Sequence, residues 1–136
     1  MIFVDTSFFH ALFAASDENH ARALKAVQAY HGRRLPDILV TTDIVVMETI
    51  TLARSRSTHG QAVFLGDRLY SEKSARIYRS TFEEQREAFG LFKKYDDKEY
   101  SSVDCLSFLV MEKLRITEAL TFDSDFSHRF TVIPRP

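Results

Sequence analysis

Tyr100-Ser101-Ser102-Val103-Asp104-Cys105, backed by the apolar run Leu106 to Leu114, is the stretch from which the rest of the chain can be ordered. Ser101 and Asp104 stand in S-x-x-D spacing directly ahead of an apolar periodic segment, the pattern of a helix start. Asp104 would then be the third helical residue and would meet the helix dipole there. Ser101 and Tyr100 lie three and four residues before it, and Ser107 and Phe108 three and four after. The carboxylate therefore shares its helical face with small and aromatic groups and not with lysine or arginine. A partly buried acid without a local cation needs a partner from elsewhere in the fold.

Working outward, the helix to Leu114 leads into a strand at Ala119 to Thr121, a turn at Asp123-Ser124-Asp125 and a last strand at Thr131 to Ile133. Upstream, Ile2-Phe3-Val4 reads as a short strand, Asp5-Thr6-Ser7 as a helix start, and Phe8 to Ala15 as a helix. Asp17 is placed to cap a second helix, Glu18 to Tyr30, with Ala21, Leu24 and Val27 at helical spacing. Pro36-Asp37 marks a turn before the apolar strand Ile38 to Thr41, and Thr42-Asp43 opens a helix to Arg56. Gly60 interrupts before a helix from Gln61 to Tyr70. Ala75 to Arg79 is a weaker strand, and Ser80-Thr81-Phe82-Glu83 reads as a capping box for a helix reaching Tyr95. Unbroken apolar strands alternating with helices indicate an α/β fold, three layers deep, with a parallel sheet covered on both faces. The chain has no repeat, low-complexity segment or Pro/Gly-rich linker, so one domain is expected over residues 1–136.

In such sheets ligands bind beyond the carboxyl ends of the strands. Asp5 directly follows the first strand, Asp123 follows Ala119-Leu120-Thr121, and Asp104 opens the helix leading to that strand. Glu48 lies two turns into the helix after the second strand, framed by Ile44, Val45, Thr51 and Leu52, so it points towards the protein. Each acid has a plainer reading: an N-cap for Asp5, an Asx-turn for Asp123, an ion pair with a distant arginine for Glu48. Their convergence on one edge without a lysine among them is what those readings leave over. Like charges there would raise one another's pKa, and a divalent cation with oxygen ligands, Mg²⁺ or Mn²⁺, resolves the repulsion.

A net charge of −1 excludes a strong global field for nucleic acid, though not a local one. Arg54, Arg56, Arg68, Lys73, Arg76 and Arg79 face only Asp67 and Glu72 in their stretch. Of these, Arg54, Arg56, Arg76 and Arg79 are candidate phosphate-binding groups. One cysteine and five scattered histidines argue against a disulfide framework or a Cys/His zinc site, and fit a reducing, intracellular setting. The apolar N-terminus lacks a basic n-region and carries Asp5 within it, and Thr6 to Ser16 is shorter than the roughly 20 residues that span a bilayer.

The order Asp5, Glu48, Asp104, Asp123, with Ser-Ser-Val-Asp-Cys at 101–105 and Leu-Thr-Phe-Asp-Ser-Asp-Phe at 120–126, resembles the PIN-domain nucleases, in particular VapC-type toxins of toxin–antitoxin pairs. The resemblance implies a five-stranded parallel sheet of order 3-2-1-4-5, with Asp5, Glu48, Asp104 and Asp123 as the acidic, metal-binding, catalytic positions. Thr6 and Thr121 would support the ligands, and Asp125 stands where members of the family vary, often with histidine. The implied chemistry is hydrolysis of RNA by water activated on carboxylate-bound Mg²⁺ or Mn²⁺. The implied partners are an RNA substrate (tRNA, rRNA or mRNA), an antitoxin whose helix lies in an apolar groove furnished partly by Phe8, Phe9 and Phe13, and a second copy in a homodimer. The expected setting is the cytoplasm, with no membrane. Two alternatives keep the fold: a catalytically silent RNA- or protein-binding module, and a housekeeping RNA-processing nuclease. A phosphoacceptor receiver domain would want a paired acid after the first strand and a lysine after the last; the chain has Thr6-Ser7 and Arg135.

Overall fold

The computed structural model describes residues 1–136. It contains β1 (Ile2–Val4), α1 (Thr6–Phe13), α2 (His20–Gln28), a 3-10 turn (Leu35–Asp37), β2 (Leu39–Thr42), α3 (Asp43–Arg56) and α4 (His59–Tyr70). These are followed by β3 (Arg76–Tyr78), α5 (Phe82–Lys94), α6 (Ser102–Lys113), β4 (Glu118–Leu120), a 3-10 turn (Ser124–His128) and β5 (Thr131–Ile133). All four strand pairings are parallel, in the order β3-β2-β1-β4-β5. Right-handed crossovers put α1 to α4 on one face, because β1, β2 and β3 step in one direction; the return from β3 to β4 puts α5 and α6 on the other. The packing of α1 on α2 and α3, α3 on α4, and α5 on α6 follows that division.

The order reverses at β1, whose neighbours are β2 and β4. In register, Val4 pairs with Leu120, and the Asp5 N–H donates to the Leu120 carbonyl at 3.1 Å. The residues just past both strands therefore lie level, at the crevice where an open α/β sheet receives its ligand. Phe3, Phe8, Phe9, Phe108 and Phe126 are fully buried around this end of the sheet. Phe126 stacks on Phe3 at 6.3 Å and receives Phe108 edge-on at 5.0 Å, which anchors the turn after β4 to the core.

Several element boundaries differ from those the sequence suggests. Asp17 does not cap α2: its Oδ1 accepts from the Asn19 N–H at 2.7 Å and closes a turn, so the helix begins at His20. Gly60 does not precede α4 but lies within its first turn, with Thr58 as the cap accepting from the Gln61 N–H. The capping box of α5 is Thr81 with Glu84, one residue on from Ser80 and Glu83; the overlapping S-T-F-E-E run permits both, and the Ser80 hydroxyl donates instead to Asp43. Helix α1 ends at Phe13, and residues 124–128 wind into a 3-10 turn.

Candidate metal centre

Each acid at the crevice is held by the element it starts. Asp5 is the N-cap of α1, and its Oδ2 accepts from the Ser7 N–H at 3.4 Å, the Ser7 hydroxyl at 2.9 Å and the Thr121 hydroxyl at 3.1 Å. Asp104 forms a reciprocal capping box with Ser101: its Oδ2 accepts from the Ser101 N–H at 2.9 Å, while Ser101 Oγ accepts the Asp104 N–H at 3.0 Å. Asp123 caps the 3-10 turn, its Oδ1 accepting from the Asp125 N–H at 2.9 Å. The caps and the cluster are thus the same residues. In each carboxylate the capping bonds fall on one oxygen and leave the other without a protein donor.

Two hydroxyls join the strand ends. Thr121 Oγ1 donates to Asp5 and accepts from the Asp123 N–H at 2.9 Å, and Ser7 Oγ accepts from the Phe122 N–H at 3.0 Å while lying 3.1 Å from Thr121 Oγ1. Ser7 carries no signal in the sequence beyond its place two residues after an acid, where an N-cap looks for donors. Thr6, by contrast, is buried with a hydroxyl that finds no hydrogen-bond partner, although the residue borders the same cavity.

One oxygen from each of Asp104, Asp123 and Asp125 falls within a common 4.8 Å. Asp125 therefore joins two of the principal acids. Burial pushes the Asp104 carboxyl up to about 7, with Asp5 and Asp123 adding repulsion. Burial likewise raises Asp5 to about 6, the Asp123 charge adding to it against the lowering effect of the Ser7 bonds. Asp123 is raised as well, first by burial and then by Asp125. An all-oxygen set of converging, destabilised carboxylates, each with a free oxygen, has the donor chemistry a hard divalent cation requires.

A cavity of about 490 Å³ opens before these groups, and Asp5, Asp104, Asp123 and Glu48 share its wall. Glu48 is half-buried and engages in no salt bridge, so the ion-pair reading of this residue does not hold. The positively chargeable wall residues are Arg56 and His10. Burial holds the His10 imidazole below its usual value, Asp17 at 3.6 Å pulling the other way. A second cavity of about 840 Å³, with Phe13, Phe64 and Leu65 in its lining, shares His10, Asp17 and Arg56 with the first.

The arginines fall in different places. Arg56 reaches the acidic cavity, whereas Arg54, two residues earlier on the helix, is rotated away from it. Arg79 pairs with Glu72 at 3.4 Å, and Arg76 begins β3, at the end of the sheet away from the acids. Phe8 and Phe9 are core, so among the three α1 phenylalanines only Phe13 borders the second cavity.

Residues 2–129 match the PIN domain family. The chain is a PIN domain. Over all 136 residues it is 36% identical to the 23S rRNA-specific endonuclease VapC20 of Mycobacterium tuberculosis, in both strain CDC 1551 / Oshkosh and strain H37Rv, covering 99% of that protein. The crystal structure of Mycobacterium tuberculosis VapC20, described as a sarcin–ricin loop cleaving toxin, superposes with a TM-score of 0.88 at 34% identity, with both chains covered in full. The observed strand order is thus that of a PIN domain, and the crevice between β1 and β4 is where this PIN domain gathers its acids.

Proposed function

We propose that this PIN domain is a VapC-type toxin, an endoribonuclease that cleaves ribosomal RNA with a divalent cation held by Asp104, Asp123 and Asp125, and with Asp5 and Glu48 at the same cavity. The observation that carries this reading is the 4.8 Å convergence of three carboxylate oxygens beside two further acids at the switch point of the sheet. The ribosomal RNA target rests on the full-length likeness to a protein named for that substrate. Mg²⁺ or Mn²⁺ bound there would supply positive charge at the scissile phosphate and acidify an attacking water.

The chain's own residues prepare that chemistry. Ser7 and Thr121 fix the Asp5 carboxylate, and the Ser101 cap fixes Asp104. Glu48, free of any ion pair, accepts a hydrogen bond from water and so aims it. Arg56 meets the non-bridging phosphate oxygens and offsets the negative wall, and the neutral His10 imidazole beside it can donate a hydrogen bond to them. The neighbouring cavity, where Phe13, Phe64 and Leu65 meet polar and charged groups, is the seat for the helix of a cognate antitoxin, reached without leaving the wall shared at Arg56. The chain would work in the cytoplasm as a homodimer or an antitoxin-bound assembly; no helix is long and apolar enough to cross a membrane.

The test is incubation of intact ribosomes and of total cellular RNA with purified protein in Mg²⁺ or Mn²⁺, alongside EDTA, Asp5→Asn and Asp104→Asn controls. A discrete fragment of the large-subunit RNA, lost in EDTA and in both variants, is expected. Intact RNA in every lane, from a folded protein that binds Mn²⁺, would overturn the ribosomal target. Absence of Mn²⁺ binding would overturn the metal centre itself.

A further inference from the structure

The triad is built from two separate segments, and no cap bond crosses between them. Asp104 is fixed to α6 by Ser101, and Asp123 and Asp125 are fixed to the 3-10 turn after β4. The side-chain hydrogen bond between residues 100–107 and residues 121–128 is that of the Tyr100 hydroxyl with His128 Nδ1, 3.0 Å apart; farther along α6, Glu112 pairs with Arg129, which ends the same turn. Tyr100 immediately precedes the capping Ser101, and His128 closes the turn that Asp123 opens. The Tyr100 ring is buried and edge-on to Tyr95 at 5.6 Å and to Phe108 at 5.0 Å, so its hydroxyl is aimed by packing. Phe108 in turn meets Phe126, which belongs to the same turn as His128.

We propose that Tyr100 and His128 are positioning residues for the metal centre, their bond setting the spacing between Asp104 and the Asp123–Asp125 turn. This rests on the metal-centre reading above. Three converging carboxylates repel, and without a cation the two segments relax apart unless something ties them. With the tie in place, a cation meets its ligands already assembled. Without it, part of the binding free energy goes into drawing the segments together. Groups that hydrogen-bond metal ligands directly commonly govern affinity by about 10-fold or more, and this tie acts on the same positioning one residue removed, through Ser101 and the turn that His128 closes.

The experiment is calorimetric titration of the full chain with Mn²⁺. Tyr100→Phe keeps the ring packing and removes the hydroxyl; His128→Ala removes its imidazole partner from an exposed position. Each is expected to raise the Mn²⁺ Kd on the order of 10-fold, and the double variant no further, since one bond is being removed twice. His128→Asn, whose carbonyl oxygen can accept the same bond, is expected to recover much of the loss. Tyr78→Phe, which removes a 2.6 Å bond to Glu84 far from the triad, is the matched control and should leave Kd unchanged. Unaltered Kd in both single variants, or effects that multiply in the double, would overturn the proposal; if Tyr100→Phe fails to fold, His128→Ala and His128→Asn decide it alone. Should wild-type protein bind no Mn²⁺, the metal centre falls first. Amide exchange then judges the tie: faster exchange at both Asp104 and Asp125 in His128→Ala supports it, and unchanged exchange overturns it.

Discussion

Ser7 has one hydroxyl proton, and it goes to Asp5 Oδ2 while the same oxygen accepts from the Phe122 amide. Ser7→Ala removes both contacts and loosens the Asp5 carboxylate, which keeps the Thr121 hydroxyl at 3.1 Å and the long backbone bond at residue 7. We expect Mn²⁺ affinity to fall about 10-fold, with Ser7→Thr close to wild type; equal affinity in calorimetry for Ser7→Ala would remove Ser7 from the site. The acids also set a pH dependence. Asp5 and Asp104 have folded-state values of about 6 and about 7, above the ordinary 3.8, so ionising them destabilises the cation-free fold. That penalty is absent below about pH 4, where folded and unfolded chains are both protonated, and grows until the pH has passed the folded values. Urea unfolding in EDTA should therefore show stability lost between pH 4 and 7, and Asp104→Asn should recover on the order of 2 kcal/mol at pH 8, less than the full shift implies because the site is partly open to water. A variant no more stable than wild type at pH 8 would refute this. Asp5 and Asp123 were legible in sequence because each follows an apolar strand, and Asp104 because it opens an apolar helix; Glu48 was legible from its apolar helical neighbours. Thr121 bonding to Asp5 from 116 residues away was suggested only by resemblance, and Tyr100 with His128 by nothing at all.

At the scale of elements, the alternation of apolar strands with helices announces a parallel sheet, and the S-x-x-D start of α6 is borne out in the Ser101–Asp104 box. What local patterns could not arbitrate was competition between overlapping signals. Asp17 could cap a helix or close a turn, and the Asn19 N–H two residues on took it for the turn; Ser80 or Thr81 could open α5, and there tertiary partners decided, Asp43 by engaging Ser80 and Lys113 with Tyr78 by engaging Glu84. Glu84 is nearly fully buried, accepting from the Thr81 N–H at 2.8 Å, the Tyr78 hydroxyl at 2.6 Å and Lys113 Nζ at 2.7 Å, and so ties β3, α5 and α6 together. Lys113, then Tyr78, hold its carboxyl down at about 2. Its stabilising effect is complete above the ordinary 4.5 and disappears as the pH falls through about 2. Glu84→Gln should cost about 1.5–3 kcal/mol at neutral pH, by urea unfolding, with the difference from wild type shrinking towards pH 2. A constant difference across that range would mean the ionised form is not what matters. The basic stretch illustrates the same limit: of its arginines Arg56 alone lines the acidic cavity while Arg79 is engaged by Glu72, so charges close in sequence do not all face one site.

For the molecule as a whole, the acids lie where two halves of the sheet part company, and a cation held by Asp104, Asp123 and Asp125 would join the turn after β4 to the start of α6. A ligand that binds only the folded chain stabilises it by about 2.7 kcal/mol at a hundredfold excess over Kd. Saturating Mn²⁺ should thus raise the thermal midpoint by several degrees, and by more at pH 8 than at pH 6, because the carboxyl protons must leave first. The same rise for Asp5→Asn/Asp104→Asn would mean the ion binds elsewhere. The doubling of duty at Asp5, Asp104 and Asp123, each starting a helix or turn with one oxygen and facing the cavity with the other, has a kinetic consequence. If these acids hold the ion as proposed, each ligand would be set on its own element as the helices wind, and with the two segments tied together capture of a cation would wait on no folding step. The slow event becomes the ion's own surrender of its hydration water, which Mg²⁺ resists strongly; the tempo at which this centre loads would be set by the metal and not by the chain.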